Sequence, residues 1–105
     1  MCGHAIVVGT DEYDIADAIE RADIDVERVD IGNSEALEDA NIAEADTYVL
    51  TEVAQATSIA VATEANPDLR VLVYADGSLP DFARRQADLL LDPELFEPAD
   101  VAAEL

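Results

Sequence analysis

The residues that could do chemistry fall in a few short stretches. Gly9-Thr10-Asp11-Glu12, with Asp14 close behind, follows one apolar run, and Thr51-Glu52 follows another. Asp30 and Asp76 close two more runs, and Cys2 and His4 stand two apart near the start. A glycine that ends an apolar run and opens a helix lets the backbone approach a pyrophosphate. An acid roughly 20 residues further on, here Asp30, stands where such a fold holds a ribose. Gly9, Thr10, Asp30 and Thr51 are therefore the candidate nucleotide contacts. The full G-x-G-x-x-G pattern fails, because positions 11 and 14 are both Asp. Acids there oppose a pyrophosphate, and helix capping accounts for them fully. In a chain with 25 acids among 105 residues, a solvated strand end is the more ordinary reading of Asp30.

Other chemistries lack their parts. Carboxylates of Asp11 or Glu12, Glu52 and Asp76, gathered at strand ends, would suit Mg²⁺ or Ca²⁺. Any acidic surface attracts cations, however, and no metal site is assigned. Cys2 and His4 supply two ligands, which make no site. All five basic residues are arginine. Without lysine there is no phosphate-loop lysine, Schiff base, Ser-Lys pair or receiver-domain lysine. The sole histidine precedes the first strand, so no serine has a histidine base. The chain is expected not to be an enzyme.

Twenty-five acidic residues give a net charge of -20 over 105 residues. Such a chain repels itself unless salt screens it, and at molar salt the screening length falls to about 3 Å. The composition implies a halophilic protein of a salt-rich cytoplasm. Nucleic acid and anionic membrane are poor partners for this charge. No apolar run approaches the ~20 residues of a membrane span. Half the residues are hydrophobic and fall in ordered runs, which acidic disordered chains lack.

The elements that must position these residues alternate. Ala5–Gly9, Val26–Ile31, Thr47–Leu50, Val71–Tyr74 and Leu89–Leu91 read as strands. Helical spacing covers 12–22, a segment capped by Asn33 or Ser34, and 53–65, with Ala56, Ile59, Ala60 and Thr63 inward. A helix follows Ser78 with Pro80 in its first turn, and 93–105 is a helical region interrupted by Pro98. This predicts one α/β domain over 1–105, with a five-stranded parallel sheet in order 2-1-3-4-5 and helices on both faces. Ligands of such sheets bind at the carboxyl ends of the strands, where the order reverses. That point lies between the loops after the first and third strands.

From position 35 onward the chain resembles the N-terminal nucleotide-binding domain of the TrkA/RCK family, regulators of potassium conductance. The stretches are Glu35–Ile42, Ala45-Asp46 with the strand after it, Ala65-Asn66-Pro67-Asp68 with the strand after it, and Ala87–Leu95. They cover about two thirds of the chain and are specific for the fold rather than for a ligand. The resemblance implies a shortened Rossmann-like member, and of its ligand positions only Gly9 and Asp30 carry over. The family's glycines would fall on Asp11 and Asp14, its arginine on Tyr74 and its asparagine near Gln55–Ser58. One strand–helix unit is missing.

Two functional readings stand. One is a stand-alone regulatory module binding NAD(H) or an adenine nucleotide. The other is a degenerate domain that binds none and works as an interaction or scaffold module. The latter would act as a homodimer, with the last helix around Val101 and Leu105 packing on a twin. The charge generates a prediction that holds for either. Transfer from molar to low KCl lowers the melting temperature sharply, and unchanged melting would remove the halophile argument.

Overall fold

A computed structural model describes residues 3–76 and 79–105. Cys2 and the expected cap Ser78 lie outside these. Strands β1 (His4–Val8), β2 (Asp25–Val29), β3 (Thr47–Leu50), β4 (Arg70–Tyr74) and β5 (Leu89–Leu91) alternate with five helices. The helices are α1 (Ile15–Arg21), α2 (Ser34–Asp39), α3 (Ser58–Ala65), α4 (Asp81–Arg84) and α5 (Pro98–Ala103). The sheet is parallel throughout, in the order β2-β1-β3-β4-β5. This is the expected topology. The continuous apolar runs of β1 and β3 are buried because helices cover both faces. On one face α1 and α5 pack together over Val7, Val49 and Leu72. On the other, residues of α2, α3 and α4 cover Ile6, Val8 and Leu50. Among the described residues no helix is long and apolar enough to cross a membrane.

The stretches that carried the resemblance explain themselves as clamps on strand starts. The Asp46 carboxylate accepts from the His4 N–H at 2.9 Å, and the Asp46 N–H donates to the His4 carbonyl at 2.8 Å. Asp88 does the same to Val71, at 2.7 and 2.8 Å. Each Ala-Asp pair thus satisfies the backbone of a neighbouring strand's first residues and sets its register. The buried Asn66 side chain donates to the carbonyls of Ile42 and Ala45 at 3.0 and 2.8 Å. It ends α3 and holds the turn before β3 in one contact.

Several elements differ from expectation, each for a local reason. α1 starts at Ile15 rather than 12, because Asp11 and Asp14 take left-handed backbone (φ 51° and 56°). The 53–65 segment begins as a 3-10 turn at Val53–Gln55, and the true helix starts at Ser58. That shift of phase buries Ser58 and Ala62 and leaves Ala60 exposed. Pro80 precedes α4 as its N-cap rather than lying in the first turn. Pro98 opens α5 instead of interrupting a helix, since a first-turn proline loses no intrahelical bond. Val101 is 2 % exposed within its own domain, against the α1 face. It has no surface left to offer a twin.

Tyr48 is fully buried and donates to Ser58 Oγ at 2.6 Å. Burial pushes its phenol up to about 12, against a smaller lowering from the Ser58 bond. A phenol raised above its unfolded value of about 10 contributes stability in full below pH ~10 and loses it as pH rises toward ~12. Tyr13 and Tyr74 are raised too. Unfolding free energy therefore falls across this alkaline window. Tyr48→Phe makes the fall shallower and costs about 1 kcal/mol at neutral pH. Denaturant unfolding of both proteins across the window checks this.

Candidate functional site

β1 and β3 are neighbours in the sheet, but their following loops part toward opposite faces, one into α1 and the other toward α3. The crevice between the loops is the place where this topology receives ligands. Gly9 follows β1 with φ 112°, and its N–H donates to the Val29 carbonyl of β2 at 3.0 Å. A side chain there is excluded twice, by the left-handed backbone and by space. A Cβ on Gly9 would stand 2.4 Å from Thr51 Oγ1 and 2.9 Å from Glu52 Cγ.

Positions 9, 11 and 14, the three glycine positions of the dinucleotide pattern, all have positive φ. Two of these three positions are aspartate in this chain. Aspartate is among the few residues that visit this conformation without prohibitive cost. Its side chain, however, adds a carboxylate. Asp11 turns it back onto the start of α1, where it accepts from the Ile15 N–H at 2.7 Å and the Ala16 N–H at 3.1 Å. A negative group on the unpaired amides of a helix start is favourable. The amides a phosphate would use are thus occupied by the protein itself. Asp14, the N-cap residue by position, makes no side-chain cap bond.

The two walls of the crevice are tied together. Thr51 Oγ1 donates to the Val8 carbonyl at 2.7 Å and accepts from the Asp11 N–H at 3.1 Å. Gln55 Nε2 donates to the Asp30 carbonyl at 2.7 Å, and its Oε1 accepts from the Gly32 N–H at 2.8 Å. Gln55 Nε2 also reaches Glu52 Oε1 at 3.0 Å. Gly32 itself is buried, and a Cβ there would meet Ser58 Cβ and Tyr48 Oη at 2.8 Å. The loop after β2 is thereby drawn down onto the start of α3.

Of the predicted contacts, Gly9, Thr10 and Thr51 share one place, and Asp30 stands apart at the end of β2. Thr10 and Asp30 are exposed. Asp30 is engaged here only through its carbonyl. What remains open at the strand ends is a groove lined by Thr10, Glu12, Tyr13, Glu52 and Asp76 among others. Tyr13 donates to Asp76 Oδ2 at 2.5 Å and meets the Tyr74 ring edge-on at 6.0 Å. The Asp76 bond pushes the Tyr13 phenol up to about 12. Among the described residues, no group of three histidine, cysteine or carboxylate side chains is placed to hold a metal ion. Sequence reasoning singled out Asp11 but missed Gln55 as a tie. Its bonds reach residues 23 and 25 positions away, and no local pattern signals them.

A family model, "Family of unknown function (DUF7126)", matches residues 5–105. No curated protein matches the sequence. Among solved structures, the TrkA-N domain of the Escherichia coli inner membrane protein YbaL is similar at TM-score 0.62 and 17% identity, with 90% of each chain covered. A pilus assembly protein (CpaE) of Burkholderia thailandensis is similar at 0.68 and 15%, covering 99% of this chain and 94% of that one. A pilus assembly-related protein of Burkholderia pseudomallei is similar at 0.65 and 15%, covering 96% and 84%. At these identities the likeness is one of fold, and that fold is Rossmann-like.

Removing the Asp11 carboxylate should leave two helix-start amides unpaired. Asp11→Ala is expected to cost about 1–2 kcal/mol, which chemical denaturation in molar KCl measures. Asp14→Gly removes a left-handed aspartate without losing a bond, so it is expected to be neutral or stabilising by under ~1 kcal/mol.

Proposed function

The chain belongs to the DUF7126 family of unknown function, and we propose that it is a Rossmann-like regulatory module that binds no nucleotide and acts through protein contacts. The observation that carries this reading is the Asp11 carboxylate on the Ile15 and Ala16 amides. A dinucleotide or adenine nucleotide does not fit the residues at the switch point. Its phosphates would have to displace Asp11 and enter a groove that already holds the carboxylates of Glu12, Glu52 and Asp76. Like charges at such distances repel by an amount that grows as water is excluded. α1 has only seven residues, so its start offers little beyond what Asp11 takes. Thr51 over Gly9 and Gln55 across the crevice support the same reading.

The reading also holds that the domain is not an enzyme. It has no lysine, and its histidine ring is engaged with the Ala40 carbonyl at 3.1 Å, remote from the switch point. The acid excess supports a working place in a salt-rich cytoplasm. A Rossmann-like fold with the first amides of α1 satisfied from within suits a module that presents its surface.

Titration calorimetry with NADH, NAD, ATP, ADP and AMP in molar KCl tests the proposal. No binding heat is expected from any of them up to millimolar concentration. Saturable heat from any one would overturn it.

A further inference from the structure

The two edges of the sheet are guarded very differently. The β2 edge presents Asp25, Glu27 and Arg28, all exposed. Charged side chains of this kind keep an edge from pairing with another chain. The β5 edge is Leu89-Leu90-Leu91, with no charge, and Leu90 is 49 % exposed. Parallel ladders alternate, so successive residues turn their backbone groups to opposite sides. Arg70 at the start of β4 donates to Asp46 on the β3 side at 3.1 Å. Val71 and Val73 therefore face β5. Given the pairing of Val73 with Leu90, the β5 residues that answer them are Leu89 and Leu91. The N–H and C=O of Leu90 point outward, and among the described residues no loop hydrogen bond reaches them.

Leu90 lies on the same face as Val73, that is, the α4 face. Phe82 of α4 is exposed, and so are the adjacent Arg84 and Arg85. Neither arginine forms an ion pair among the described residues, although 25 acids surround five cations in this chain. Exposed carboxylates stand close by in sequence, at Asp81, Asp92 and Glu94. One short apolar edge is thus flanked by both unpaired cations and anions. Such a patch is complementary to itself under a two-fold axis, which sets the same residues against one another in reverse order.

We infer that the β5 edge is the interaction surface of this domain and that its occupant is a second copy of the chain. This rests on the reading of the domain as an interaction module. The two β5 strands run antiparallel, with Leu90 opposite Leu90 of the partner as a hydrogen-bonded pair that exchanges both backbone bonds. The Leu90 side chains meet across the axis, next to Phe82 from each copy. Arg84 and Arg85 of one copy face the carboxylates of the other. The pairing joins two five-stranded sheets into one of ten strands. Its three-residue length leaves one register, and the two edges that remain free are the charged β2 strands.

Sedimentation equilibrium in molar KCl, from low to high micromolar protein, tests this. Wild type is expected at twice the chain mass. Leu90→Glu should weaken association about tenfold or more, with an unchanged circular dichroism spectrum. The double variant Arg84→Glu, Arg85→Glu, exposed on a folded helix, should weaken it in the same direction. Ile31→Glu removes another exposed apolar side chain, beyond the opposite edge, and should remain dimeric. A monomeric wild type, an assembly that grows past the dimer, or equal loss in Ile31→Glu and Leu90→Glu would each overturn the inference. A monomer would leave the nucleotide-free reading intact, and nucleotide heat would sink that reading whatever the mass.

Discussion

A carboxylate on two helix-start amides governs the carboxyl end of the sheet in this molecule. Asp11 satisfies Ile15 and Ala16 from within the chain, and much follows from that contact. The loop must hold positive φ at 11 and 14 to bring the side chain back onto its own helix. The Asp11 N–H, turned inward by the same bend, finds Thr51 Oγ1. Thr51 in turn sits so close over Gly9 that only glycine fits. An open loop built around a bound anion would need none of these ties. Here the anion is covalently part of the protein, so the closed form carries no cost of capturing a ligand.

The acidity acts differently at different places. Most of the carboxylates are exposed, and their mutual repulsion falls away once salt makes the screening length short. A few have structural work that charge counting does not reveal. Asp46 and Asp88 clamp neighbouring strands, and Asp11 fills a helix start. At the sheet edges the charge is distributed unevenly: β2 carries it and β5 does not. The β5 edge is therefore the one of the two that charge does not guard.

The fold was legible because its signals are local. Apolar runs of four or five residues, separated by helical spacing, describe a parallel sheet covered on both faces, and handedness leaves few strand orders. The cap at Asn33 was legible for the same reason, since Asn33 Oδ1 accepts from Ala36 only three residues on. Helix starts were less so. The start of α1 depends on left-handed backbone at Asp11 and Asp14, and that of α3 on a 3-10 turn at Val53–Gln55. Propensity does not distinguish these from ordinary first turns. At the switch point Gly9, Thr10 and Thr51 lie near one another, because each follows a strand. The role of Gln55 was invisible, since its partners Asp30 and Gly32 belong to another strand–helix unit.

Sequence alone determined which lysine chemistries are absent. Lacking lysine, the chain has no Schiff-base nucleophile and no phosphate-loop lysine, whatever its fold. It also determined the sheet and its order, because burial on both faces forces continuous apolar strands. The direction of the Asp11 side chain is a different matter. An aspartate after Gly9 is equally consistent with a carboxylate facing solvent and with one folded onto the helix. That choice rests on backbone torsions and on Thr51, forty residues distant in the chain. Only tertiary structure brings those groups within hydrogen-bond range, and so only it could show that the first amides of α1 are satisfied by Asp11.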